Sequence, residues 1–174
     1  APSEGAGRRV PLVVGGAPGS GAREVLIGLA SHLVRSSSTV IVDANELAPG
    51  VARRLGLAEQ PNVLGAALLA ASDGDLREAV AGTVVGRPTG FDVIAGLAAA
   101  SEWTEWSADS ALRVVQAAGR RWDSVVVSTS PMVEDLRRWG DRYGVSRGLL
   151  SSPDVRVVAV VEASPRGVMR FADW

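Results

Sequence analysis

The residues with the most chemical potential lie in one short stretch, Gly16-Ala17-Pro18-Gly19-Ser20-Gly21-Ala22-Arg23. Its spacing is that of a phosphate-binding loop, G-x-x-x-x-G-K-[ST]. In such a loop, glycines let successive backbone N–H groups converge on phosphate oxygens. The helix that follows adds the partial positive charge of its N-terminus. A lysine then bridges the β and γ phosphates, and a hydroxyl holds Mg²⁺. Here the glycines are present and both side chains are replaced: Ala22 stands at the lysine position and Arg23 at the Ser/Thr position. Pro18 removes one N–H from the cradle. The stretch predicts anion binding by backbone and helix dipole, with added charge from Arg23, and a crippled metal-assisted phosphoryl transfer. The binding set expected from it is Gly16, Gly19, Ser20, Gly21, Ala22 and Arg23, joined by Asp43 at the end of the next strand. The same glycines also serve a plain tight turn, and spacing does not choose between the two.

Other candidates carry less. Asp43 closes an apolar run at the carboxyl edge of an expected sheet, where open α/β folds bind ligands. It suits either a contact to Mg²⁺-bound water or the capping of the following turn. Ser128, Thr129 and Ser130 end another strand. A serine nucleophile needs a base and a G-x-S-x-G turn; the single histidine, His32, lies elsewhere on a helix, so capping of the next helix is the better reading. His32 has no second histidine to share a metal and reads as a helix-surface residue. Trp103 and Trp106, three apart, would share a helical face. They fit either an exposed interface anchor or a cover over the end of the sheet. The arginine pairs Arg8-Arg9, Arg53-Arg54, Arg120-Arg121 and Arg137-Arg138 alternate with acids and read as solvated helix faces.

Composition narrows the field. The chain has 174 residues, a net charge of −1 and no cysteine. All 18 of its basic residues are arginine. There is no disulfide, no thiolate zinc site, no cysteine nucleophile and no Schiff-base lysine. Near-zero charge gives no strong nucleic-acid signal. No apolar run reaches the roughly 18 residues of a membrane span. Residues 1–9 read as a linker or the remnant of an excised piece, with no signal peptide. These features fit a cytoplasmic protein.

Strands are expected at Val10–Val14, Thr39–Val42, Phe91–Ala95, Ser124–Val127 and Val155–Val161. Helical patterns fill Arg23–Val34, Pro49–Leu57, Asn62–Ala71 with Asn62 as N-cap, Asp75–Val84, Asp109–Arg121, Pro131–Tyr143 and Pro165–Trp174. Continuous apolar strands alternating with helices imply a parallel sheet covered on both faces. The fold class is α/β.

The order of these segments resembles the MinD/ParA family of deviant-Walker ATPases. The glycine loop, "TVIVDANELAPGVARRLGL", "PNVLGAALL", "FDVIAG", "RRWDSVVVSTSP" and "VRVVAVVEASPRGVMRFADW" follow that family's pattern from about Val10 to Trp174. The resemblance implies a three-layer P-loop NTPase-like domain of the SIMIBI type over residues 10–174, cut short at its C-terminus. It also places the family's functional residues. The signature lysine falls on Ala17, the P-loop lysine on Ala22, and the Mg²⁺-binding threonine on Arg23. The first aspartate of the strand-end pair is retained as Asp43. The water-positioning aspartate falls on Asn45, and the Walker B aspartate on Ser128. Five of the six positions are changed, and bias against lysine does not account for Arg23, Asn45 or Ser128.

Within the family, the alanine at the lysine position resembles CpaE/TadZ-like proteins. That implies a degenerate ATPase serving as a localisation, assembly or regulatory factor for septum placement or for pilus and secretion machinery. Its partners would be proteins of such a complex, with a homodimer resting on packing. ATP or ADP binding would be weak or absent. The protein would be cytoplasmic, recruited to a pole, septum or membrane periphery. Alternatives are a slow MinD/ParA-type ATPase and a nucleoid-binding partition factor. The resemblance weighs against catalysis without deciding it.

Overall fold

The computed structural model describes residues 10–71, 76–86, 90–133 and 144–174. Five strands form one parallel sheet: β1 (Leu12–Gly15), β2 (Thr39–Asp43), β3 (Asp92–Ile94), β4 (Ser124–Ser128) and β5 (Arg156–Ala159), in the order β3-β2-β4-β1-β5. Around them lie α1 (Ala22–Leu33), α2 (Val51–Arg54), α3 (Val63–Ala71), α4 (Leu76–Ala81), α5 (Ala108–Arg121), α6 (Gly144–Leu150) and α7 (Pro165–Asp173), with a 3₁₀ turn at Ala100–Glu105.

Alternation along the strands builds two cores. Successive strand residues point to opposite faces of the sheet. Val13, Val40, Val42, Val125 and Val127 pack on one face, with Val63 and Ala66 of α3, Val114 and Ala118 of α5, and Val145 and Leu149 of α6. Val14, Ile41, Val93 and Val126 pack on the other, with Leu26 and Ala30 of α1, Val51 of α2 and Phe91. The result is a three-layer α/β domain, as the apolar strands imply.

Local chemistry sets several ends. Asn62 is the N-cap of α3, its Oδ1 accepting from the N–H of Leu64 at 3.1 Å and of Gly65 at 3.4 Å. Ser107 caps α5 by accepting from Ser110 N–H at 3.2 Å. Ser164 caps α7 by accepting from Gly167 N–H at 3.0 Å.

Two expectations are corrected and one open alternative is settled. The Pro49–Leu57 pattern yields only the single turn Val51–Arg54, because Gly50 precedes it and Gly56 turns the chain at φ 68°. The last strand is covered on one face only: β5 is a sheet edge, Val158 and Val160 pack against the second core, and Val157 and Val161 are 41% and 37% exposed. The tryptophans of the SEWTEWS segment are not exposed anchors. Trp106 is buried in the first core, with Nε1 aimed at the Ala44 carbonyl at 3.5 Å. Trp103 packs half-buried beside it. They cover the end of the sheet. The helix expected from Pro131 to Tyr143 lies largely outside the described residues.

Candidate phosphate cleft

The sheet brings the candidate residues to one edge. In register, Val14 of β1 stands beside Ser128 of β4, and Ser128 beside Asp43 of β2. All three mark carboxyl ends of strands. The flanking strands β4 and β5 lie on opposite sides of β1, so the loop after β1 opens into the crevice where such sheets bind ligands.

The loop Gly16–Gly21 turns from β1 into α1. Gly19 and Gly21 have φ of 82° and 81°, a left-handed region that glycine enters without steric cost. Gly16 is fixed by crowding instead: a Cβ there would lie 2.3 Å from the Val160 carbonyl oxygen and 2.6 Å from Ser20 Oγ. The Ser20 N–H is consumed inside the turn, donating to the Ala17 carbonyl at 3.0 Å. The amides of Gly19, Gly21, Ala22 and Arg23 meet no acceptor among the described residues. No side chain caps α1, so its N-terminus keeps unpaired donors and positive partial charge. Glu24 in the first turn would oppose an anion, but Arg54 pairs with it at 2.9 Å. That hydrogen bond and charge hold the Glu24 carboxyl below its ordinary range.

The loop opens on a cleft of about 240 Å³ lined by Gly16 to Glu24 and by Asn45, Ser128, Thr129 and Pro131. Beside it lies a second cleft of about 390 Å³, sharing Ala17, Pro18 and Pro131 and walled by Met132, Arg170 and Trp174. The Trp174 ring lies against Gly15, and its Nε1 is buried without a hydrogen bond. Arg170 reaches the Pro18 carbonyl at 3.4 Å.

The side chains around the cleft are engaged elsewhere. Asp43 is 1% exposed, and its Oδ2 accepts from the N–H groups of Gly50 at 2.8 Å and Val51 at 2.9 Å, capping α2. Its Oδ1 is buried without a hydrogen bond. Burial pushes the Asp43 carboxyl above its ordinary value; the Val51 and Gly50 amides, the nearby Ser128 hydroxyl and the Arg23 charge pull it back. The Arg23 guanidinium does not turn toward the glycine loop. It donates to the Ala48 carbonyl at 2.9 Å and lies over Gly50. Asn45, where the resemblance puts a water-positioning aspartate, uses Oδ1 to close its own turn, accepting from Leu47 N–H at 3.0 Å and Ala48 N–H at 2.9 Å.

The predicted set Gly16, Gly19, Ser20, Gly21, Ala22 and Arg23 thus gathers along one cleft. Asp43 stands just behind it, beside Ser128. The donors suit a phosphate, which needs converging N–H groups. They do not suit a divalent cation: an arginine stands at the hydroxyl position, Glu24 at the cleft rim is paired with Arg54, and Asp43 behind it is committed to α2. His32 is exposed in the last turn of α1. Among the described residues, no three or more His, Cys, Asp or Glu side chains gather as a metal site.

Sequence reasoning missed Glu46. It looks like an ordinary loop acid, yet it is 3% exposed and accepts from Ser146 N–H at 3.0 Å and Ser146 Oγ–H at 2.6 Å. Burial pushes its carboxyl up, and the Ser146 donors oppose that. No local pattern announces such a contact, because its partner lies 100 residues away.

A parallel five-stranded sheet with a glycine loop between β1 and α1 defines a P-loop α/β domain. No protein-family model and no curated protein sequence matches the chain. Solved structures do. The VpsO kinase domain aligns with TM-score 0.66 at 18% identity, over 95% of this chain and 77% of that one. The ParA family ATPase from Chlorobium tepidum TLS aligns with TM-score 0.69 at 14% identity, over 92% and 64%. The septum site-determining protein MinD from Pyrococcus horikoshii OT3, solved with Mg-ADP, aligns with TM-score 0.68 at 13% identity, over 95% and 62%. At such identities the likeness is one of fold, and the chain spans under two thirds of the ParA and MinD chains. The chain has a MinD/ParA-type P-loop ATPase fold. Among the described residues, no helix is long and apolar enough to cross a membrane.

Proposed function

We propose that this chain is a phosphate-loop scaffold without phosphoryl-transfer chemistry. It is a degenerate ATPase that works through protein contacts in localisation or assembly, such as septum placement or pilus and secretion machinery. The observation that carries the reading is the diversion of Arg23, Asp43 and Asn45 into the loop between β2 and α2. Freeing Asp43 for a metal or water breaks the two hydrogen bonds that cap α2, about 1–2 kcal/mol for a lost cap. Asn45 is an amide and accepts no proton from an attacking water. Ser128 offers a hydroxyl where a carboxylate is needed.

The backbone half of the site supports a residual role for Gly16, Gly19, Ser20, Gly21, Ala22 and Arg23 in binding the phosphates of ATP or ADP. The MinD and Borrelia burgdorferi plasmid partition structures hold Mg-ADP and AMPPNP, which makes those nucleotides the ligands to test. Calorimetric titration of ADP and pyrophosphate, with and without Mg²⁺, tests the reading. The expected result is weak binding that Mg²⁺ does not strengthen. Micromolar, Mg²⁺-dependent ATP binding favours the slow-ATPase alternative.

A further inference from the structure

Neighbouring residues of the cleft wall point in opposite directions. Asn45 lines the cleft, while Glu46, the next residue, is buried on α6. Thr129 lines the cleft, while Ser130, next in turn, is 0% exposed and faces the same helix. The two turned-away residues meet on one side chain. Ser146 donates its N–H to Glu46 Oε1 at 3.0 Å and its Oγ–H to Glu46 Oε2 at 2.6 Å. The same Oγ accepts the Ser130 N–H at 2.7 Å. Ser130 Oγ in turn accepts from Met132 N–H at 3.0 Å.

We propose that Glu46, Ser146 and Ser130 form a buried clasp that makes both side-chain walls of the phosphate cleft move as one body with α6. The proposal rests on the reading of that cleft as an anion site and adds its regulation.

A buried carboxyl group is tolerated when its oxygens are hydrogen-bonded, and Ser146 supplies two donors, one of them short. Moving the Asn45–Glu46 segment without α6 strands that carboxyl. Moving Ser128–Pro131 without α6 strands the Ser130 N–H. The two walls leave neighbouring strands that are joined directly up to the Ala44 N–H, which donates to the Ser128 carbonyl at 3.1 Å; beyond that last rung, each wall is tied to the helix. On its far side α6 is held closely. Val145 and Leu149 sit in the core with Ala111 of α5. A Cβ on Gly148 would lie 2.5 Å from the Ala108 Cβ. A packed contact of this kind passes on displacement instead of absorbing it. A ligand that draws the walls together pulls α6 against α5, and a partner that seats on α6 sets the width of the cleft.

The test is hydrogen exchange by mass spectrometry on the full chain, using inorganic pyrophosphate as the probe. In the free protein, Glu46→Gln should speed exchange at 128–132, a segment to which the Glu46 side chain makes no hydrogen bond among the described residues, by at least about tenfold. Ser146→Ala should do the same, and unchanged exchange in β1 and β2 shows that both variants fold. In the unmutated chain, pyrophosphate should slow exchange at 16–23 and also at 144–150; in Glu46→Gln it should slow only 16–23. Unchanged exchange at 128–132 in both variants overturns the clasp, as does pyrophosphate that protects 16–23 and leaves 144–150 untouched. Pyrophosphate that protects neither segment overturns the anion reading instead, and the clasp then stands or falls on exchange at 128–132 in the two free variants.

Discussion

The glycine loop and the carboxyl ends of β2 and β4 face one cleft, and they use their polar groups in opposite ways. The loop keeps its backbone: two glycines at positive φ, a crowded Gly16, and an uncapped helix with free amides. The strand ends keep their place in the register but have turned their polar groups inward, to cap α2, close a turn and clasp α6. Backbone geometry is set by the packing of β1, α1 and β5, so it persists as long as the fold does. Side-chain chemistry has no such protection, and its groups become structural parts. On the proposed reading, shape and catalysis are separable in this site.

Substitutions probe that contrast. The largest expected effect is on binding. Ala22→Lys with Arg23→Thr returns the two missing side chains to an intact loop. Titration should show ADP affinity rising on the order of 10- to 100-fold, or about 1.5–3 kcal/mol. Turnover should not appear, because Asn45 and Ser128 are unchanged. Next is the loop itself. Gly16→Ala drives a Cβ into the Val160 carbonyl, and urea denaturation should show a loss of about 1–3 kcal/mol. An unchanged midpoint means that crowding does not fix the loop.

Asp43 tests whether the strand end is structural. Asp43→Ala removes both N–H acceptors of α2 and should cost about 1–2 kcal/mol. Asp43→Asn keeps an oxygen where Oδ2 accepts both bonds and removes a buried charge, so it should be near neutral. Its signature is in pH. A carboxyl raised on folding leaves the native state holding more protons than the unfolded chain. Its contribution to stability is then greatest below its ordinary value of 3.8 and declines as pH rises through the raised one. Asp43→Asn should flatten that part of the stability profile. The smallest effect is expected from Arg23→Ala, which loses one exposed hydrogen bond to Ala48, about 0.5 kcal/mol.

Much of the fold was legible because its signals are local. Apolar runs gave the five strands, Asn62 announced its cap, and the glycine spacing located the cleft. What was missed or left open shares a cause. Whether Val157 is covered depends on a neighbour across the sheet edge. Whether Trp106 is an anchor or a wall depends on where the Ala44 carbonyl lies. Glu46 depends on Ser146, far along the chain. For the site, the resemblance implied which side chains are replaced but not where their replacements bond. That Arg23 folds onto Ala48 instead of the loop is decided by tertiary contact.

The central claim is that the cleft retains a phosphate cradle and lacks phosphoryl transfer. Phosphate release from Mg-ATP by the unmutated chain, followed over many hours against a no-protein control, tests it most directly. The account predicts release no faster than the control. Sustained, protein-dependent release that Ala22→Lys with Arg23→Thr accelerates would contradict it.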